Sequence, residues 1–481
     1  MDRAELSAAI IAELGELFVD TLQRNAQELI GSDFDGLEQR LQEVSRTVFG
    51  RVVEQTVAAI AEVHASERPN CQECHQPMRL VDPERPRMLQ GLVGDYAISR
   101  PYYLCDRCHQ GRAPLDEHLG LGVGALSPGL QRVASRLGID DSFGDAVDAL
   151  HETLRIELAT EADRRITEGI GQVAEDEAQA RIARAKAGQE PFSKSETAPT
   201  SSTLLVEVDG SLVHEVDGQW HEVKSGLAAP LGPNVREDKE TGRSVLAMGK
   251  PSYCAGFESA EAFWYRVYVE ACRRGLGTTM VMLVVVLGDG AEWIWHYASA
   301  FLAVEVGNRR VKVIEILDIY HAFEHLCRVA EVVFGQGSQA AREWVEPLRR
   351  RLEAEGVGPI LEALAALSPA SEEASEEVRK ASGYFQENAS RMDYPTYLAL
   401  QLPIGSGAIE SACKTLIEER EKGAGMRWSQ KGAQAVATLR ALHKSGRWDS
   451  FWKRHPQRCR PPVFPRRRPN SVTQEPARHP A

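Results

Sequence analysis

The stretch Thr278–Trp295, which reads TTMVMLVVVLGDGAEWIW, decides the predicted fold. Its segment Met280–Leu287 is apolar throughout, which is typical of a strand buried on both faces of a sheet, and it is too short to cross a bilayer. The strand stops at Gly288-Asp289-Gly290. Open α/β sheets carry their sites at the carboxyl ends of strands. Since folding alone explains an acid poorly at this position, Asp289 is the first candidate site residue.

The elements predicted around this strand define an α/β fold. The stretch Thr203–Gly210 alternates and places Glu207 and Asp209 on one face of a strand. The sequence then predicts, in order, a strand from His221, a strand within Arg243–Phe257, a helix at Phe257–Gly275, the buried strand, a helix at Ala291–Phe301 and a strand at Val311–Leu317. Three antiparallel-type strands, a helix, a parallel strand, a helix and a strand form the ribonuclease-H-like order.

A third acid lies far along the chain, in Leu402–Lys414, which reads LPIGSGAIESACK. A proline and two glycines precede a helical stretch there, so that Glu410 falls in the first turn. The helix macrodipole favours a charged carboxylate at that place. Lys414, one turn later, can pair with Glu410 or contact a phosphate.

The three acids Asp209, Asp289 and Glu410 suggest a site for divalent metal ions. Two ions about 3.5–4 Å apart can activate a nucleophile and stabilise a leaving oxygen at a phosphodiester. Magnesium, or manganese, needs few protein oxygens because it keeps several waters. Each acid alone also has an ordinary explanation, as a turn residue before glycine or as a helix cap. The substitutes, should one assignment fail, are Glu207, Glu292 and Asp318.

Two C-x-x-C pairs predict a structural zinc site: Cys71 with Cys74, and Cys105 with Cys108. Each pair can offer two thiolates, and two pairs complete a tetrahedral four-sulfur shell with no position for water. The alternation and the Gly-Asp turn between the pairs predict a ribbon of strands. The alternative is four free thiols in a reducing cytoplasm.

The segments on either side of this ribbon are predicted to be helical. In the N-terminal helices, Phe34, Leu37, Leu41, Val44 and Val48 form a seam that could pack within the chain or form a dimer. Short helices between Ser127 and about Val173 are compatible with a helix-turn-helix, with Arg164 and Arg165 near the start of the last helix, capped by Thr160. A plain helical subdomain is the alternative.

Composition describes a soluble protein with local basic character. The 481 residues are 43% hydrophobic and 26% charged, without a signal peptide or a membrane-length apolar run, so a cytoplasmic, nucleoid-associated location is expected. The net charge of −13 argues against nucleic-acid binding by the whole chain. However, twelve basic residues and one acid lie between Arg427 and Arg468. Such a local basic face still permits phosphate binding.

Several motifs together resemble the ISKra family of bacterial insertion-sequence transposases. They are VDG at Asp209, LGDGAEWIW at Asp289, DIYHAFEHL at Asp318, LPIGSGAIESACK at Glu410, KGAGMRWSQKGAQAV at Lys422–Val436, and the paired C-x-x-C segment followed by RPYY. The matches run from about Cys71 to Trp452. Members of that family resemble DDE transposases with a ribonuclease-H-like core.

The resemblance implies roles for particular residues. Asp209, Asp289 and Glu410 would be the metal-binding acids, and His321, in the pattern Asp318-x-x-His321, falls where related transposases carry a histidine. The helical insertion after this histidine contacts DNA ends in similar transposases, and its Trp344 could stack on a flipped base or pack in the core. The basic and aromatic strip predicted to contact the DNA backbone comprises Lys414, Arg420, Lys422, Arg427 and Trp428.

The predicted function is therefore a DNA transposase that cuts at element ends and joins the 3′ hydroxyl to target DNA by two-metal-ion chemistry. Its expected partners are double-stranded DNA and further copies of the chain as a homodimer or higher oligomer, with no membrane. Two alternatives stay open, a metal-dependent nuclease without strand transfer and a non-catalytic zinc-ribbon DNA-binding protein derived from a transposase.

The predicted organisation has eight segments. They are a helical region at 1–66, a zinc ribbon at 67–120, a helical or helix-turn-helix-like domain at 121–175, a linker at 176–202, the first part of the core at 203–321, a helical insertion at 322–400, the last core helices at 401–455 and a basic Pro/Arg-rich tail at 456–481.

Overall fold

The computed structural model describes residues 3–63, 68–122, 124–192, 199–237 and 242–454. The chain divides into two compact units, the first formed by the described residues up to Leu130 together with Lys453 and Arg454, and the second by Gln131–Trp452. None of the described helices is both long enough and apolar enough to cross a lipid bilayer. The predicted tail at 456–481 lies outside the described residues.

The first unit combines helices with a three-stranded antiparallel ribbon. Its elements are α1 (Arg3–Arg24), α2 (Ala26–Gly31), α3 (Phe34–Val63), β1 (Arg79–Gly91), β2 (Gly94–Leu104), β3 (Gly111–Arg112) and α4 (Pro114–His118). The strands pair in the order β1-β2-β3, so the predicted ribbon of strands between the two cysteine pairs is confirmed.

The predicted apolar seam of α3 is only partly buried. Val44 is buried, whereas Phe34 and Leu41 are exposed. The helix packs on α1 and on β2, where Gly50 leaves room for the backbone of Asp95. Packing within the chain therefore accounts for the buried part of the seam.

The second unit contains the mixed sheet and most of the helices. Its first elements are α5 (Pro128–Asp140), α6 (Phe143–Leu154), α7 (Thr160–Lys186), β4 (Thr203–His214), β5 (Trp220–Glu237), β6 (Ser244–Met248), β7 (Ser252–Gly256), α8 (Ala260–Arg273), β8 (Leu283–Gly288), α9 (Glu292–Leu302), β9 (Glu305–Val306), β10 (Arg309–Arg310) and β11 (Lys312–Leu317).

Helices then follow to the end of the described chain. They are α10 (Ile319–Phe334), α11 (Gln339–Glu355), α12 (Gly358–Ala365), α13 (Glu372–Glu387), a 3₁₀ turn (Ala389–Arg391), α14 (Tyr394–Ala399), α15 (Gly407–Cys413), a π-helical segment (Lys414–Glu418), α16 (Glu419–Glu421), α17 (Gln430–Lys444) and α18 (Trp448–Arg454). Helices thus occupy most of the predicted insertion at 322–400.

The main sheet has the strand order β11-β8-β4-β5-β6, with β7 also paired to β5. Strands β4, β8 and β11 run parallel, while β5 is antiparallel to β4, β6 and β7. The predicted α/β class is therefore confirmed. The sheet packs against helices on both faces: along β5, Ala228 belongs to the core cluster that includes α8, whereas Leu227 and Ala229 belong to the cluster that includes α15 and α17.

The central buried strand is shorter than predicted. It begins at Leu283 rather than Met280, and Met280 and Met282 are about half exposed. Its neighbour β4 begins at Thr203, which pairs with Leu283, so the strand pairing starts only there, although Val281 is already buried. The apolar run of the sequence therefore predicts a start of the strand that is three residues too early (283 − 280 = 3).

The helices between residues 128 and 186 also differ from the prediction. Helix α7 continues to Lys186, beyond the predicted end of the short helices at about Val173 and into the segment 176–202 that was assigned as a linker. The predicted cap is wrong as well, because Ala159 rather than Thr160 takes the N-cap position. The long helix is held by burial, since Ile170 and Ala174 lie in the interior.

Candidate active site

Three of the predicted or substitute acids form a row at one edge of the sheet. The register pairs Glu207 of β4 with Leu287 of β8, and Leu317 of β11 with Gly288 of β8. One or two residues further on, each of these parallel strands carries an aspartate: Asp209, Asp289 and Asp318. Neighbouring parallel strands present their carboxyl ends at the same edge, so the row follows directly from the register.

Asp289 is half-buried in the tight connection from β8 to α9. Its Oδ1 accepts a hydrogen bond of 3.0 Å from the backbone N–H of Ala291, and its carbonyl oxygen accepts one of 3.2 Å from the hydroxyl of Tyr384. Gly290 has a φ of +105°, and a Cβ there would lie 3.0 Å from the Tyr384 hydroxyl. This glycine therefore lets Tyr384 of α13 approach the aspartate.

Asp209 is also half-buried. It lies two residues beyond Glu207, the last residue of β4 that pairs with β8. Its Oδ2 lies 3.5 Å from the Sγ of Cys413. Burial raises the pKa of Asp209, and the negative charges of Asp289 and Glu410 raise it further, while a hydrogen bond from Gly210 N–H lowers it. Both other predicted metal-binding acids are thus near enough to act on Asp209 electrostatically.

Ser406 joins the row of aspartates to the helix that carries the third acid. Its hydroxyl lies 2.5 Å from Oδ2 of Asp318 and 3.3 Å from Oε1 of Glu410. Glu410 falls in the first turn of α15, as predicted, and its side chain is exposed. Burial and the charge of Glu410 raise the pKa of Asp318, while the hydrogen bond with Ser406 lowers it.

Glu207 lies fully buried beneath Asp209 on the same face of β4. Its Oε2 accepts a 2.7 Å hydrogen bond from the backbone N–H of Ile409, which directly precedes Glu410. Burial raises its pKa to about 8, with further contributions from the charges of Asp318 and Glu410. Glu207 therefore fastens the start of α15 to the central strand, a role that strand alternation alone did not reveal.

The carboxylates are neighbours without forming a closed single-ion group. Among the described residues, Asp209, Asp289 and Glu410 do not bring one oxygen each within 4.8 Å of all the others. Ligands of two ions about 3.5–4 Å apart can be spread more widely than ligands of one ion.

Histidines and a tyrosine border the row of acids. His321 is half-buried, and its Nδ1 lies 3.4 Å from a carboxylate oxygen of Glu324. His325, one turn later, stacks on the ring of Tyr384 at 3.8 Å, and burial lowers its pKa to about 4. The substitute Glu292 is exposed in the first turn of α9. Sequence reasoning missed both residues: His325 lies in the quoted DIYHAFEHL motif but received no role, and Tyr384 lies in none of the motifs that carry the acids.

Two members of the predicted DNA-binding strip lie in the interior, so the prediction of a surface contact is wrong for them. Arg420 is 1% exposed, lies over the rings of Phe143 and Trp428, and donates a 2.9 Å hydrogen bond to the carbonyl of Gly138. Trp428 is 6% exposed and donates from Nε1 to the carbonyl of Glu421. Both side chains are therefore core residues that pack among the helices.

The other members of the strip, Lys414, Lys422 and Arg427, are exposed. Lys414 opens the π-helical segment that follows α15, and Lys422 pairs with Glu418 at 2.7 Å. Chain irregularities of this kind are frequent at functional sites. Three exposed basic residues therefore follow the third acid along the chain.

The remaining predicted DNA contacts have partners within the chain. Arg164 pairs with Glu161 and Glu168, and Arg165 pairs with Glu161, on the first turns of α7. Trp344 is half-buried and packs beside Phe334. Trp344 therefore packs against the core, which was one of the two alternatives for this residue.

The four cysteines of the ribbon bring one Sγ each within 4.8 Å of all the others, an arrangement that can hold one metal ion. Residues His75 and His109 follow the two pairs with positive φ of 56° and 54°, which closes each knuckle. Backbone N–H groups lower the pKa of Cys71 to about 7, whereas the neighbouring thiols and burial raise that of Cys108 to about 12. Crowded thiols resist losing all four protons unless a cation compensates their charge.

No protein-family model matches this chain, and a search of curated proteins finds no match either.

Proposed function

We propose that this chain is a DNA transposase with a ribonuclease-H-like catalytic core. The observation that carries the proposal is the row Asp209, Asp289 and Asp318 at the ends of adjacent parallel strands, joined through Ser406 to Glu410. An enzyme that binds divalent ions for phosphodiester chemistry needs carboxylates gathered in this manner.

The strand order supports the core assignment. Three consecutive strands, β4, β5 and β6, are antiparallel neighbours, and β8 and β11 extend the sheet parallel to β4 on its other side. The sequence predicts three strands before the first helix, and the structure adds a fourth, β7, which pairs with β5. The parallel placement of β8 and β11 beside β4 supports the proposed core. Helices α10–α14 then separate the last strand from α15, in agreement with an all-helical insertion.

The donor set of the acids fits magnesium or manganese. Asp209 and Asp289 are half-buried, and Glu410 is exposed, so the site combines fixed oxygens with access for water and substrate. Asp209, Asp289 and Glu410 would hold the ions. When bound, two such ions supply activation of the attacking oxygen and stabilisation of the leaving oxygen.

The surrounding residues would orient these ligands. Ser406 can hold Asp318 and Glu410 at a fixed separation, and the hydrogen bond from Ile409 to Glu207 fixes the entry of α15. The Tyr384 hydroxyl supports the backbone of Asp289. Asp318 either completes the site as a fourth ligand or acts through Ser406.

The four-cysteine group would bind zinc as a structural ion. Its donor set is closed, which suits a ribbon that presents a surface rather than a reacting centre. We propose that this ribbon and its neighbouring helices recognise the ends of the element. Backbone contacts to DNA would come from Lys414, Lys422 and Arg427, which are exposed.

Strand transfer of a labelled, pre-cut DNA end tests this function. A transposase joins the 3′ hydroxyl of that end to a target in the presence of magnesium, whereas a nuclease of the same fold cuts DNA and joins nothing. Glu410→Gln should abolish joining and cutting together. If the biological activity persists in Glu410→Gln, the chain is instead a non-catalytic DNA-binding protein.

A further inference from the structure

A second group of metal-ligating side chains lies at the tip of the hairpin between β4 and β5. Glu215, Asp217 and His221 bring one ligand atom each within 4.8 Å of the others. Glu215 directly follows β4, six positions beyond Asp209 (215 − 209 = 6). An extended strand rises about 3.3 Å per residue, so the group is roughly 20 Å from the row of acids.

The backbone of the hairpin turn fixes these three side chains. Gly218 has a φ of +82° and donates its N–H to the carbonyl of Glu215 at 3.0 Å, while Glu215 N–H donates to Gln219 at 2.9 Å. The Oδ1 of Asp217 accepts a 2.8 Å hydrogen bond from Gln219 N–H, which leaves its Oδ2 directed to His221.

The burial of Glu215 provides an independent indication that this tip can bind a cation. The residue is 7% exposed, and its buried Oε1 has no hydrogen-bond partner among the residues that the structure describes. Its Oε2 lies 4.0 Å from Nε2 of His221, which is beyond hydrogen-bond reach. A carboxylate buried to this degree costs free energy unless a cation or a donor compensates its charge.

We propose that Glu215, Asp217 and His221 bind a divalent first-row transition-metal ion such as Mn²⁺ or Zn²⁺. Two carboxylate oxygens and one imidazole nitrogen suit this class of ion, and the two carboxylates balance its charge. His221 Nε2, now 2.9 Å from Oδ2 of Asp217, would coordinate the ion in its neutral form. The ion would compensate the negative charge of the buried Glu215 carboxylate.

The place of this group suggests what the ion does. The hairpin tip is joined to the segment before α17: Val216 N–H donates to the carbonyl of Trp428 at 2.9 Å, and Trp428 N–H donates to that of His214 at 3.1 Å. An ion bound to Glu215 would therefore stabilise the tip and the segment that carries the exposed Arg427. It would also offset the two negative charges of Glu215 and Asp217, close to the segment that carries Arg427.

Manganese binding by the full chain tests the proposal. The thiol site is first filled with one equivalent of Zn²⁺ and free Zn²⁺ is removed, so that Zn²⁺ does not compete at the hairpin. Bound Mn²⁺ is then counted from the free-ion electron paramagnetic resonance signal. His221→Ala and Asp217→Asn should each weaken one Mn²⁺ equivalent at least about tenfold. Asparagine keeps the oxygen that accepts from Gln219, so Asp217→Asn retains the turn even if His221→Ala disturbs it.

Two controls separate this site from other effects. His296→Ala changes an exposed histidine outside the group and should leave the isotherm unchanged. Asp289→Asn should affect only ions that bind at the row of acids. The Mn²⁺ bound by Glu215, Asp217 and His221 should therefore persist in this variant, even if the proposed catalytic function is wrong. An isotherm that is the same in wild type and in both hairpin variants would overturn the proposal, as would equal weakening in His296→Ala.

Discussion

The cysteine ribbon and the row of acids bring ligands together by different means. The four thiols come from two local pairs, each on a knuckle of a few residues, and they already lie within 4.8 Å of one another. The acids come from positions 201 residues apart (410 − 209 = 201), and among the described residues Asp209, Asp289 and Glu410 do not reach that mutual distance. Strand register brings Asp209 and Asp289 near each other instead. The hydrogen bonds of Ser406 with Asp318 and Glu410 bring the third acid to the row.

The local backbone positions the ligands of the thiol site, whereas contacts across the whole fold position those of the acid site. The thiol site depends on the ribbon alone, so its disruption should unfold the ribbon. The acid site depends on distant contacts such as Glu207 with Ile409, so its disruption should impair chemistry more than folding.

The largest expected effect is the loss of the thiol site. Cys105→Ser removes a buried ligand, and structural zinc in small domains contributes about 10–16 kcal/mol of binding free energy that is also folding free energy. We expect lost zinc and rapid proteolysis within β1 and β2, measured by zinc content and by mapped cleavage. Cys327→Ser, a half-buried cysteine outside the group, serves as the matched control. Equal zinc content in both variants would contradict the assignment.

The second effect is a dependence of stability on pH in the absence of divalent ions. The pKa of Glu207 is raised from 4.5 to about 8, so the folded state holds a proton that the unfolded state has released. The contribution of Glu207 to the free energy of unfolding should be greatest below pH 4.5. It should fall as the pH rises to 8, by at most about 1.4 kcal/mol per pH unit. Urea unfolding measures this slope, which should be flatter in Glu207→Gln. Stability that rises with pH equally in both proteins would contradict it.

A comparison of two substitutions at Glu207 isolates the connection to α15. Glutamine can still accept the hydrogen bond from Ile409, whereas Glu207→Ala leaves that buried N–H unsatisfied at a cost of about 1–3 kcal/mol. We expect Glu207→Ala to lose stability and strand transfer, and Glu207→Gln to keep most of both. If the two variants behave alike in urea unfolding, the hydrogen bond does not hold the helix.

The smallest effect concerns the exposed Arg427. Arg427→Gln should weaken DNA binding modestly and lower the slope of log affinity against log salt by about 0.9, the amount for one phosphate contact. Arg379→Gln removes an exposed arginine that already pairs with Glu376 and provides the control. Binding titrations at several salt concentrations would contradict the assignment if both variants changed the slope equally.

The sequence predicts those features of the molecule that local pattern determines. Alternation identifies β4, glycines mark the end of β8 at Asp289, and C-x-x-C spacing identifies the four thiols. In each case, the residues that matter are close together in the chain. The α/β class follows from the order of these elements.

Features that depend on which surfaces meet were not predictable. Arg420 and Trp428 read as a basic and aromatic strip, yet helices cover both, and nothing in their own neighbours in sequence indicates this burial. The connection from Glu207 to Ile409 spans 202 positions, and Tyr384 reaches Asp289 from 95 positions away. Contacts of this range depend on tertiary packing rather than on a motif.

The central claim is that Asp209, Asp289 and Glu410 act together on divalent ions at a phosphodiester. Its most direct test is magnesium-dependent strand transfer by the wild-type chain beside Asp289→Asn, with DNA ends taken from the flanks of its own coding sequence. We predict transfer by the wild type and a loss of about a thousandfold or more in the variant, as expected for several kcal/mol of lost transition-state stabilisation. Equal transfer by the two proteins would contradict the account.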